Sequence, residues 1–335
     1  MLRPPVTIPM VFVQGMVSGV QARHQPCYAF LAGAGIAPEL LHQVGARVTA
    51  DQYVALFRLL MEGLDDECLG FLSRPLRRGS LALVIRSAIG AATLEVAMRR
   101  IARSFRLLQD DLLLVPVHDG ALAGLALHFT EASVARPTFL HELLLRIFWR
   151  LLAWLVGGQL PAVGFDFAFE RPLHAASYGK VFPAPLQFEC RHSAFWFDAA
   201  QLQSPVRRDE AALRTFLADA QTQVIVPRRG DDLVSARVRD HLQHTQPAWP
   251  ELAATADALH MSTSTLQRRL ANEGVSFQSL KDELRRDMAI VRLNTSTVPL
   301  ATLACELGFA DSAAFQRAFK GWTGSAPGAY RRGGP

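Results

Sequence analysis

The length, composition and charge of this chain exclude several classes of protein. Its 335 residues exceed one typical compact domain and half of them are hydrophobic, so we expect two globular domains with sizeable cores. The formal net charge of +5 is a modest basic excess, which is compatible with nucleic acid but does not by itself indicate it. The four cysteines are far apart, which predicts neither a zinc site nor a disulfide framework. We therefore expect no metal, no cofactor and a cytoplasmic location.

The hydrophobic stretches lack the pattern of membrane spans. Residues 139–156 are the most hydrophobic stretch, but they include two arginines, one glutamate and one histidine. Because charged side chains are costly at the centre of a bilayer, the stretch predicts a buried helix and no membrane contact. Residues 6–20 are interrupted by a proline, a glutamine and two glycines, and no cleavage motif follows them, so we expect no signal peptide.

Helical and strand patterns are mixed through residues 1–225. Apolar residues recur at helical spacing in two segments, and an Asp-Gly pair between two strand-like segments is typical of a β-hairpin. In chain order, the predicted elements are helices at 51–64 and 93–108, hairpin strands at 112–117 and 122–130, a long helix at 137–156, a strand at 163–169, a pair of short strands at 186–190 and 194–197, and a helix at 209–220. Helices segregated from antiparallel hairpins indicate an α+β domain.

A linker at residues 226–232 precedes a region of short helices at 233–335. The linker is rich in proline, glycine and charge, and beyond it the apolar spacing predicts six short helices and a final turn. Gly274 is expected to end the third helix in the left-handed conformation. The predicted N-caps are Asp231 or Asp232 for the first helix, Ser262 for the third, and Asp311 or Ser312 for the sixth. The sequence therefore predicts an all-α domain here.

One short pattern occurs twice in this all-α region. It is Leu266-Gln267-Arg268-Arg269-Leu270 in the first copy and Phe315-Gln316-Arg317-Ala318-Phe319 in the second, each behind a short apolar helix and a turn. Two apolar residues four apart anchor one face of a helix, and the Gln-Arg pair between them faces outward, where it can read base edges in a DNA major groove. We predict two helix-turn-helix units, at about 250–273 and 299–321.

The outward side chains of the two units are the candidate DNA contacts. From residue 231 onward there are 12 Lys and Arg against 11 Asp and Glu, so affinity must come from local placement. The intervening helix, from 277 to 293, spans roughly 25 Å, enough to hold two recognition helices about one duplex turn apart. We expect the first unit to supply more base contacts, with phosphate contacts from Arg269 and Lys320. The predicted DNA contacts are Ser264, Gln267, Arg268, Arg269, Ser312, Ala313, Gln316, Arg317 and Lys320.

Residues 232–333 resemble a known family of regulators. The second unit carries Leu303-Ala304, Leu307-Gly308-Phe309-Ala310-Asp311-Ser312 and, from residue 315 to 324, Phe-Gln-Arg-Ala-Phe-Lys-Gly-Trp-Thr-Gly, followed by Pro327 and Tyr330-Arg331. These residues resemble the signature of AraC/XylS-type transcription regulators. The first unit is similar from Met261-Ser262 to Gly274, except that His260 stands where that family usually has glycine.

The first 225 residues resemble the effector-binding and dimerisation domain of regulators related to the arabinose-binding ones. The similarity lies in Arg171-Pro172, His174, Tyr178, Phe182-Pro183, Leu186 and Phe188, and then in Phe197-Asp198, Leu202 and Pro205. It implies a small-molecule effector, a homodimer and contact with RNA polymerase. The candidate effector contacts are Arg146, His174 and Tyr178. Each also has a structural interpretation, in which His174 and Tyr178 satisfy one another and Arg146 is paired or reaches solvent.

Three functions are compatible with these patterns. The leading hypothesis is an effector-responsive, sequence-specific transcription regulator that is not an enzyme. The first alternative is an enzyme or DNA-repair protein with an accessory helix-turn-helix pair. Against it, Cys27 has no histidine beside it, and no phosphate loop, GxSxG or HExxH motif occurs. The second alternative is a structural DNA-binding protein without a sensor. The sequence leaves open the effector, the operator and whether transcription is activated or repressed.

Overall fold

The computed structural model of the chain describes residues 6–131, 136–225 and 233–331, and at residue 180 and residues 219–225 it describes the backbone alone. The described residues fall into two compact units. The helical unit takes its residues from Met1–Val13, Leu31–Tyr53 and Arg229–Pro335, and the sheet unit takes them from Gln14–Phe30 and Val54–Arg228. The linker predicted at 226–232 lies outside the described residues, and the functional domain boundaries stay a prediction.

Helices dominate the regular structure. In the part of the chain that the structure describes, the α-helices are α1 (Met10–Ala22), α2 (Tyr28–Gly33), α3 (Ala50–Leu64), α4 (Ser80–Ala88), α5 (Leu94–Leu108), α6 (Thr138–Leu155), α7 (Glu210–Ile225), α8 (Val234–His244), α9 (Leu252–Ala258), α10 (Thr263–Asn272), α11 (Phe277–Thr295), α12 (Leu300–Glu306) and α13 (Ser312–Thr323). The strands are β1 (Thr7–Pro9), β2 (Arg47–Thr49), β3 (Leu112–Asp119), β4 (Leu122–Phe129), β5 (Gly164–Asp166), β6 (Leu186–Gln187) and β7 (Ser193–Asp198). The 3-10 helices are Pro38–His42, Ala175–Lys180, Ala199–Gln203 and Pro327–Tyr330.

The central element of the helical unit is α11. Its apolar residues recur at helical spacing, and Leu280, Leu284 and Ile290 are fully buried. Helix α8, the terminal 3-10 helix and a ribbon of β1 and β2 all pack against it. The hydroxyl of Thr7 on β1 donates a hydrogen bond of 2.5 Å to Asp287 on α11. The ribbon therefore belongs to the same packed body as the C-terminal helices.

Side-chain caps fix the starts of three C-terminal helices. Ser262, Ser276 and Asp311 each accept a hydrogen bond from a backbone N–H in the first turn of α10, α11 and α13, respectively. Gly274 follows α10 with a φ of +73°. The predicted caps at Ser262 and Asp311 and the left-handed glycine are confirmed, as are six helices and a final 3-10 turn.

The N-terminus of helix α8 is capped by a side chain at the end of α10. Its N-cap residue, Leu233, has no side-chain cap, and the predicted Asp231 and Asp232 lie outside the described residues. Instead, the carboxylate of Glu273, at the end of α10, accepts hydrogen bonds from the N–H groups of Val234 and Ser235, at 2.8 and 2.9 Å. A carboxylate at a helix N-terminus also interacts favourably with the helix dipole.

The sheet unit is built on one five-stranded sheet in the order β3-β4-β7-β5-β6. The predicted hairpin is confirmed, because β3 and β4 pair antiparallel from Leu112 opposite Phe129 to Asp119 opposite Leu122. Helix α6 packs against β4 and β7, and nearly all of its side chains are buried. Predicted helices at 51–64, 93–108, 137–156 and 209–220 appear as α3, α5, α6 and α7. The sheet with its flanking helices confirms the α+β class.

Two strand predictions are corrected by the structure. The strand expected at 163–169 is shorter, and the segments at 186–190 and 194–197 do not form a pair with each other. Strand β6 lies at the sheet edge, parallel to β5, whereas β7 lies between β4 and β5. The reason is that residues 187–190 form their backbone hydrogen bonds with residues 167–169, and Glu189 turns the chain with a φ of +60°.

The described residues contain neither a membrane-spanning helix nor a metal-binding cluster. Among them, no helix is both long and apolar enough to cross a membrane. Over the same residues, no group of three or more His, Cys, Asp or Glu side chains has an arrangement that would hold a metal ion.

Candidate nucleic-acid interface

The first helix-turn-helix unit consists of α9 and α10. Ala256 is fully buried, which allows close helix packing, and its carbonyl accepts a hydrogen bond of 2.9 Å from the N–H of Met261 across the turn. His260 has a φ of +56° and therefore occupies the left-handed conformation that glycine usually supplies. The turn has the predicted position and geometry, with histidine in it.

The second unit, α12 and α13, has the same turn hydrogen bond and a positive φ at the corresponding residue. The carbonyl of Ala304 accepts a hydrogen bond of 2.9 Å from the N–H of Phe309, and Gly308 has a φ of +74°. The surroundings differ, because a Cβ atom on Gly308 would lie 2.7 Å from Cδ1 of Trp249 and 3.1 Å from a guanidinium nitrogen of Arg285. Glycine is therefore required here by space as well as by backbone conformation.

The two repeated pentapeptides are anchored as the sequence predicts. Leu266 and Leu270 of α10, and Phe315 and Phe319 of α13, are fully buried. Between the anchors, the Gln-Arg pairs are exposed, and so are Ser264, Arg269, Ala313 and Lys320. Ser312 is half-buried, and the hydroxyl of Ser264 lies 3.2 Å from that of Ser262. Apart from the half-buried Ser312, the predicted residues are thus exposed on the two helices.

Among the residues that the structure describes, the cationic side chains on these faces have no acidic partner nearby. Within residues 6–131, 136–225 and 233–331, no carboxylate lies within 4.0 Å of Arg268, Arg269, Arg317 or Lys320. A phosphate contact by such a side chain would not require an existing ion pair to break. The helical unit is nearly neutral in sum, but its recognition faces are locally positive.

A cation–π sandwich formed by Arg285 of α11 with Trp249 and Phe309 connects the two helix-turn-helix units. The guanidinium of Arg285 lies between two aromatic rings, 4.9 Å from the centre of Trp249 and 5.2 Å from that of Phe309. Trp249 precedes the first unit and donates a hydrogen bond of 3.0 Å to the carbonyl of Glu306 in the second. Lys281, also on α11, forms a 2.7 Å ion pair with Glu251, which lowers the pKa of that carboxyl group.

Sequence reasoning did not identify this sandwich. Arg285 is 36 residues from Trp249 and 24 residues from Phe309 in the sequence, and none of the three belongs to the repeated pattern. The available signal was that aromatic residues flank both units, with Trp249 before α9 and Phe309 in the second turn.

The candidate effector contacts lie in the sheet unit, where two of them converge on Glu142 of α6. The Tyr178 hydroxyl donates a short hydrogen bond to Glu142, and Nε2 of His174 lies 3.7 Å from the same carboxylate oxygen. Burial and the adjacent Glu142 raise the pKa of Tyr178, which therefore stays protonated. The glutamate was not identified in the sequence as the partner of these two residues.

Arg146 lies one helical turn beyond Glu142 on α6. Only 6 % of it is exposed, and its Nε atom has no hydrogen-bond partner among the described side chains and backbone. A buried guanidinium without full hydrogen bonding is costly, and an anion bound beside it would reduce that cost. Nearby, Nδ1 of His141 lies 2.8 Å from the Ser193 hydroxyl, and burial lowers the pKa of His141 to about 4.

Comparison with known proteins adds to this geometry. Residues 26–206 match the family model described as the arabinose-binding domain of AraC transcription regulator, N-terminal, and residues 255–333 match a helix-turn-helix domain model. The chain is 26% identical over 325 residues to the ornithine utilization regulator of Pseudomonas aeruginosa, covering 97% of this chain and 96% of that protein.

Two other relatives match over different lengths. An uncharacterized HTH-type transcriptional regulator of Mycobacterium tuberculosis is 28% identical over 355 aligned positions, with 99% of each chain covered. The arabinose operon regulatory protein of Salmonella typhimurium is 31% identical over 105 residues, which is 30% of this chain and 37% of that protein.

Proposed function

Because the chain belongs to the AraC family of transcription regulators, we propose that α10 and α13 are its recognition helices and enter successive major grooves of double-stranded DNA. The chain is a DNA-binding transcription regulator with an N-terminal domain of the effector-binding type. One observation supports the assignment of these helices most directly. Each exposes a Gln-Arg pair over two fully buried anchors, with no carboxylate in reach among the described residues.

The proposed contacts fall into two kinds. Arg268 and Arg317 read base edges, since arginine binds guanine bidentately, and Arg269 and Lys320 bind phosphates. The remaining proposed contacts from the two faces are Ser264, Gln267, Ser312, Ala313 and Gln316. Helix α11, with 19 residues, is about 28 Å long, which suits recognition helices about one duplex turn apart.

The test begins with selection of preferred DNA from a random duplex library by the full chain. Binding of the selected sequence and of scrambled DNA is then measured at several salt concentrations. We expect Arg317→Ala to weaken binding to the selected sequence about tenfold or more, with little change for scrambled DNA. The matched control is Arg237→Ala, which removes an exposed arginine from α8. Unchanged specificity in a folded Arg317→Ala protein would reject α13 as a recognition helix.

We propose that the functional domains are an effector-binding and dimerisation domain at 1–225, a linker at 226–232 and a DNA-binding domain at 233–335. The regulator acts as a homodimer, contacts RNA polymerase and works in the cytoplasm, where its DNA is located. Effector binding changes DNA affinity because the effector has different affinities for two arrangements of the dimer. Sedimentation of the full chain with and without a stabilising effector tests the dimer.

We propose that the effector contacts Arg146, with His174 and Tyr178 close to it. The unsatisfied Nε of Arg146 favours an effector with a carboxylate. The name of the Pseudomonas relative makes ornithine a first compound to test, beside other amino acids and fatty acids. A compound that raises the melting temperature of the full chain, but not of the Arg146→Met variant, would support this site. A rise that the variant retains would place the effector elsewhere.

We also propose that the chain has no catalytic activity of its own. The thiol considered as a DNA-repair nucleophile, Cys27, is 3 % exposed and accepts a hydrogen bond of 3.7 Å from the Gln21 amide. A reactive cysteine instead needs access and a group that stabilises the thiolate. Methyl transfer from O6-methylguanine DNA to Cys27, detected by mass spectrometry, would contradict this proposal.

A further inference from the structure

The helical unit contains a cavity that is separate from its DNA-facing side chains. It has a volume of about 450 Å³. One wall comes from residues 32–52, and the other comes from Asn294 on α11 and from residues 329–331 at the end of the described chain. This volume falls within the range of about 300 to 1,000 Å³ that is usual for small-molecule sites.

The charged side chains that line this cavity are positive. Most of it is small and apolar, including Ala32, Ile36 and Ala37. Among the described lining residues, the two charged ones are Arg47 and Arg331, and none carries a carboxylate. An apolar body with one anionic group complements such a surface, since arginine binds carboxylates in a fixed, bidentate geometry.

Arg47 is held in place along one edge of its guanidinium. Its Nε and Nη2 atoms donate hydrogen bonds of 2.7 and 2.8 Å to the hydroxyl and the carbonyl of Thr7. Within the described residues Nη1 donates no hydrogen bond. Asp287 lies 3.9 Å from Nε, but burial and the neighbouring Arg286 lower the pKa of Arg47 to about 10. Burial has the largest effect on this pKa, and the carboxylates of Asp287 and Glu283 partly offset it, so Arg47 still carries its charge at neutral pH.

Arg331 is fixed in a similar way from the other wall. Its Nη2 atom donates a hydrogen bond of 2.5 Å to the carbonyl of Val298, and its other nitrogens form none within the described residues. By contrast, the amides of Gln52 and Asn294 bond to each other at 2.8 Å. The donors available to a ligand are therefore mainly those of the two arginines.

We propose that this cavity binds a small organic monocarboxylate, with its carboxylate on Arg47 and Arg331 and its apolar body against the wall at residues 32–37. The bound molecule contacts segment 32–52 on one side and α11 with the terminal 3-10 helix on the other. Since α11 connects the two helix-turn-helix units, occupancy alters DNA affinity. That regulatory consequence rests on the proposed function, whereas binding itself does not.

The test uses the full chain and three probes of increasing length: butyrate, hexanoate and octanoate. Calorimetry and thermal melting are measured for each, with hexanamide as the uncharged match of hexanoate. We expect at least one carboxylate to bind with a millimolar or lower Kd, and hexanamide to bind at least tenfold more weakly. Failure of all three carboxylates to bind would overturn the proposal, as would equal binding of hexanamide or equal stabilisation by inorganic phosphate.

Variants locate the binding. Arg331→Met is expected to weaken carboxylate binding at least tenfold, and Ala329→Trp, at an exposed lining position, is expected to block it by filling the cavity. Arg237→Met controls for the loss of a positive charge. Arg146→Met controls for the sheet unit, and loss of binding in that variant alone would assign the carboxylate to the other site and overturn this one.

A separate measurement tests the regulatory consequence. DNA affinity of the wild-type chain is measured with and without a saturating carboxylate, and we expect at least a threefold change that Arg331→Met abolishes. Specific DNA binding without any effect of the carboxylate would overturn the coupling and leave the proposed function intact. Absence of specific DNA binding would instead reject the proposed function, with carboxylate binding still judged by calorimetry.

Discussion

The two helix-turn-helix units have the same backbone turn but use different residues to form it. His260 and Gly308 both have a positive φ, and the hydrogen bond that closes each turn is 2.9 Å long. At Gly308 the indole of Trp249 and the guanidinium of Arg285 occupy the space where a side chain would lie. The second turn thus packs directly against Trp249 and Arg285 of the sandwich and has no room for a side chain, whereas the first turn has room for the side chain of His260. A conserved backbone conformation can impose different limits on side chains.

The largest expected effect comes from Gly308→His, which gives the second turn the residue of the first. The left-handed conformation costs a non-glycine residue about 1 to 2 kcal/mol, and forcing atoms into the occupied space costs about 1 to 3 more. We therefore expect the free energy of unfolding of the helical unit to fall by about 4 kcal/mol. Thermal melting and urea titration of the full chain measure it. A loss of less than about 1 kcal/mol in the free energy of unfolding would mean that Trp249 and Arg285 rearrange at little cost.

Paired substitutions on the recognition helices compare the two units in DNA binding. We expect Arg268→Ala to cost about 3 kcal/mol and Arg317→Ala about 2 kcal/mol of binding to selected DNA, because the first unit has the larger set of polar side chains. Competition binding at fixed salt measures both. As a phosphate contact, Lys320→Ala should instead weaken binding to all sequences and reduce the salt slope by about 1. A larger loss for Arg317→Ala would reverse the proposed ranking.

Removal of the Arg285 side chain eliminates the cation–π contacts that connect α11 to both helix-turn-helix units. Each cation–π contact contributes about 1 kcal/mol, so we expect Arg285→Ala to destabilise the helical unit by about 2 kcal/mol. Arg285→Lys keeps the charge but not the planar guanidinium, and should lose about half as much. Thermal melting measures stability, and repeated selection from random DNA shows whether the preferred spacing of the two half-sites broadens. Unaltered melting in Arg285→Ala would exclude a supporting role.

The smallest expected effect is that of His260→Gly, which gives the first turn the residue of the second. Relief of the left-handed strain is partly offset by the greater backbone freedom of glycine in the unfolded chain. We expect a gain of about 0.5 to 1 kcal/mol in stability, with DNA binding unchanged. A decrease in stability would show that the imidazole of His260 makes favourable contacts that outweigh its backbone strain.

Features set by neighbouring residues were predictable from the sequence. Caps such as Ser262 and Asp311, the turn glycine Gly308, and anchors four residues apart each depend on one or two turns of chain. The hairpin of β3 and β4 was predictable for the same reason, since an Asp-Gly turn fixes its register. For the caps, the turn glycine, the anchors and the hairpin, the residues within one or two turns of chain determine nearly all of the local structure.

Features set by distant residues were not predictable. Strands β1 and β2 have three residues each and no alternation to reveal them, and they become a ribbon only by pairing across about forty residues. The positions of β6 and β7 in the sheet depend on hydrogen bonds between residues 187–190 and residues 167–169, and not on pairing between β6 and β7, which are closer in the sequence. Likewise, the sandwich at Arg285 and the cavity between Arg47 and Arg331 bring together residues that are far apart in the sequence. No pattern in a single sequence indicates that such residues meet.

The cap that Glu273 places on α8 has a consequence for the order of folding. In the first turn of α8, the N–H groups of Val234 and Ser235 donate hydrogen bonds to the carboxylate of Glu273 at the end of α10. Without Glu273, these two N–H groups would lose this acceptor, and short helices without caps are marginal in water. We expect α8 to become stable only after α10 has formed, and a fragment that starts at residue 233 to keep this cap intact.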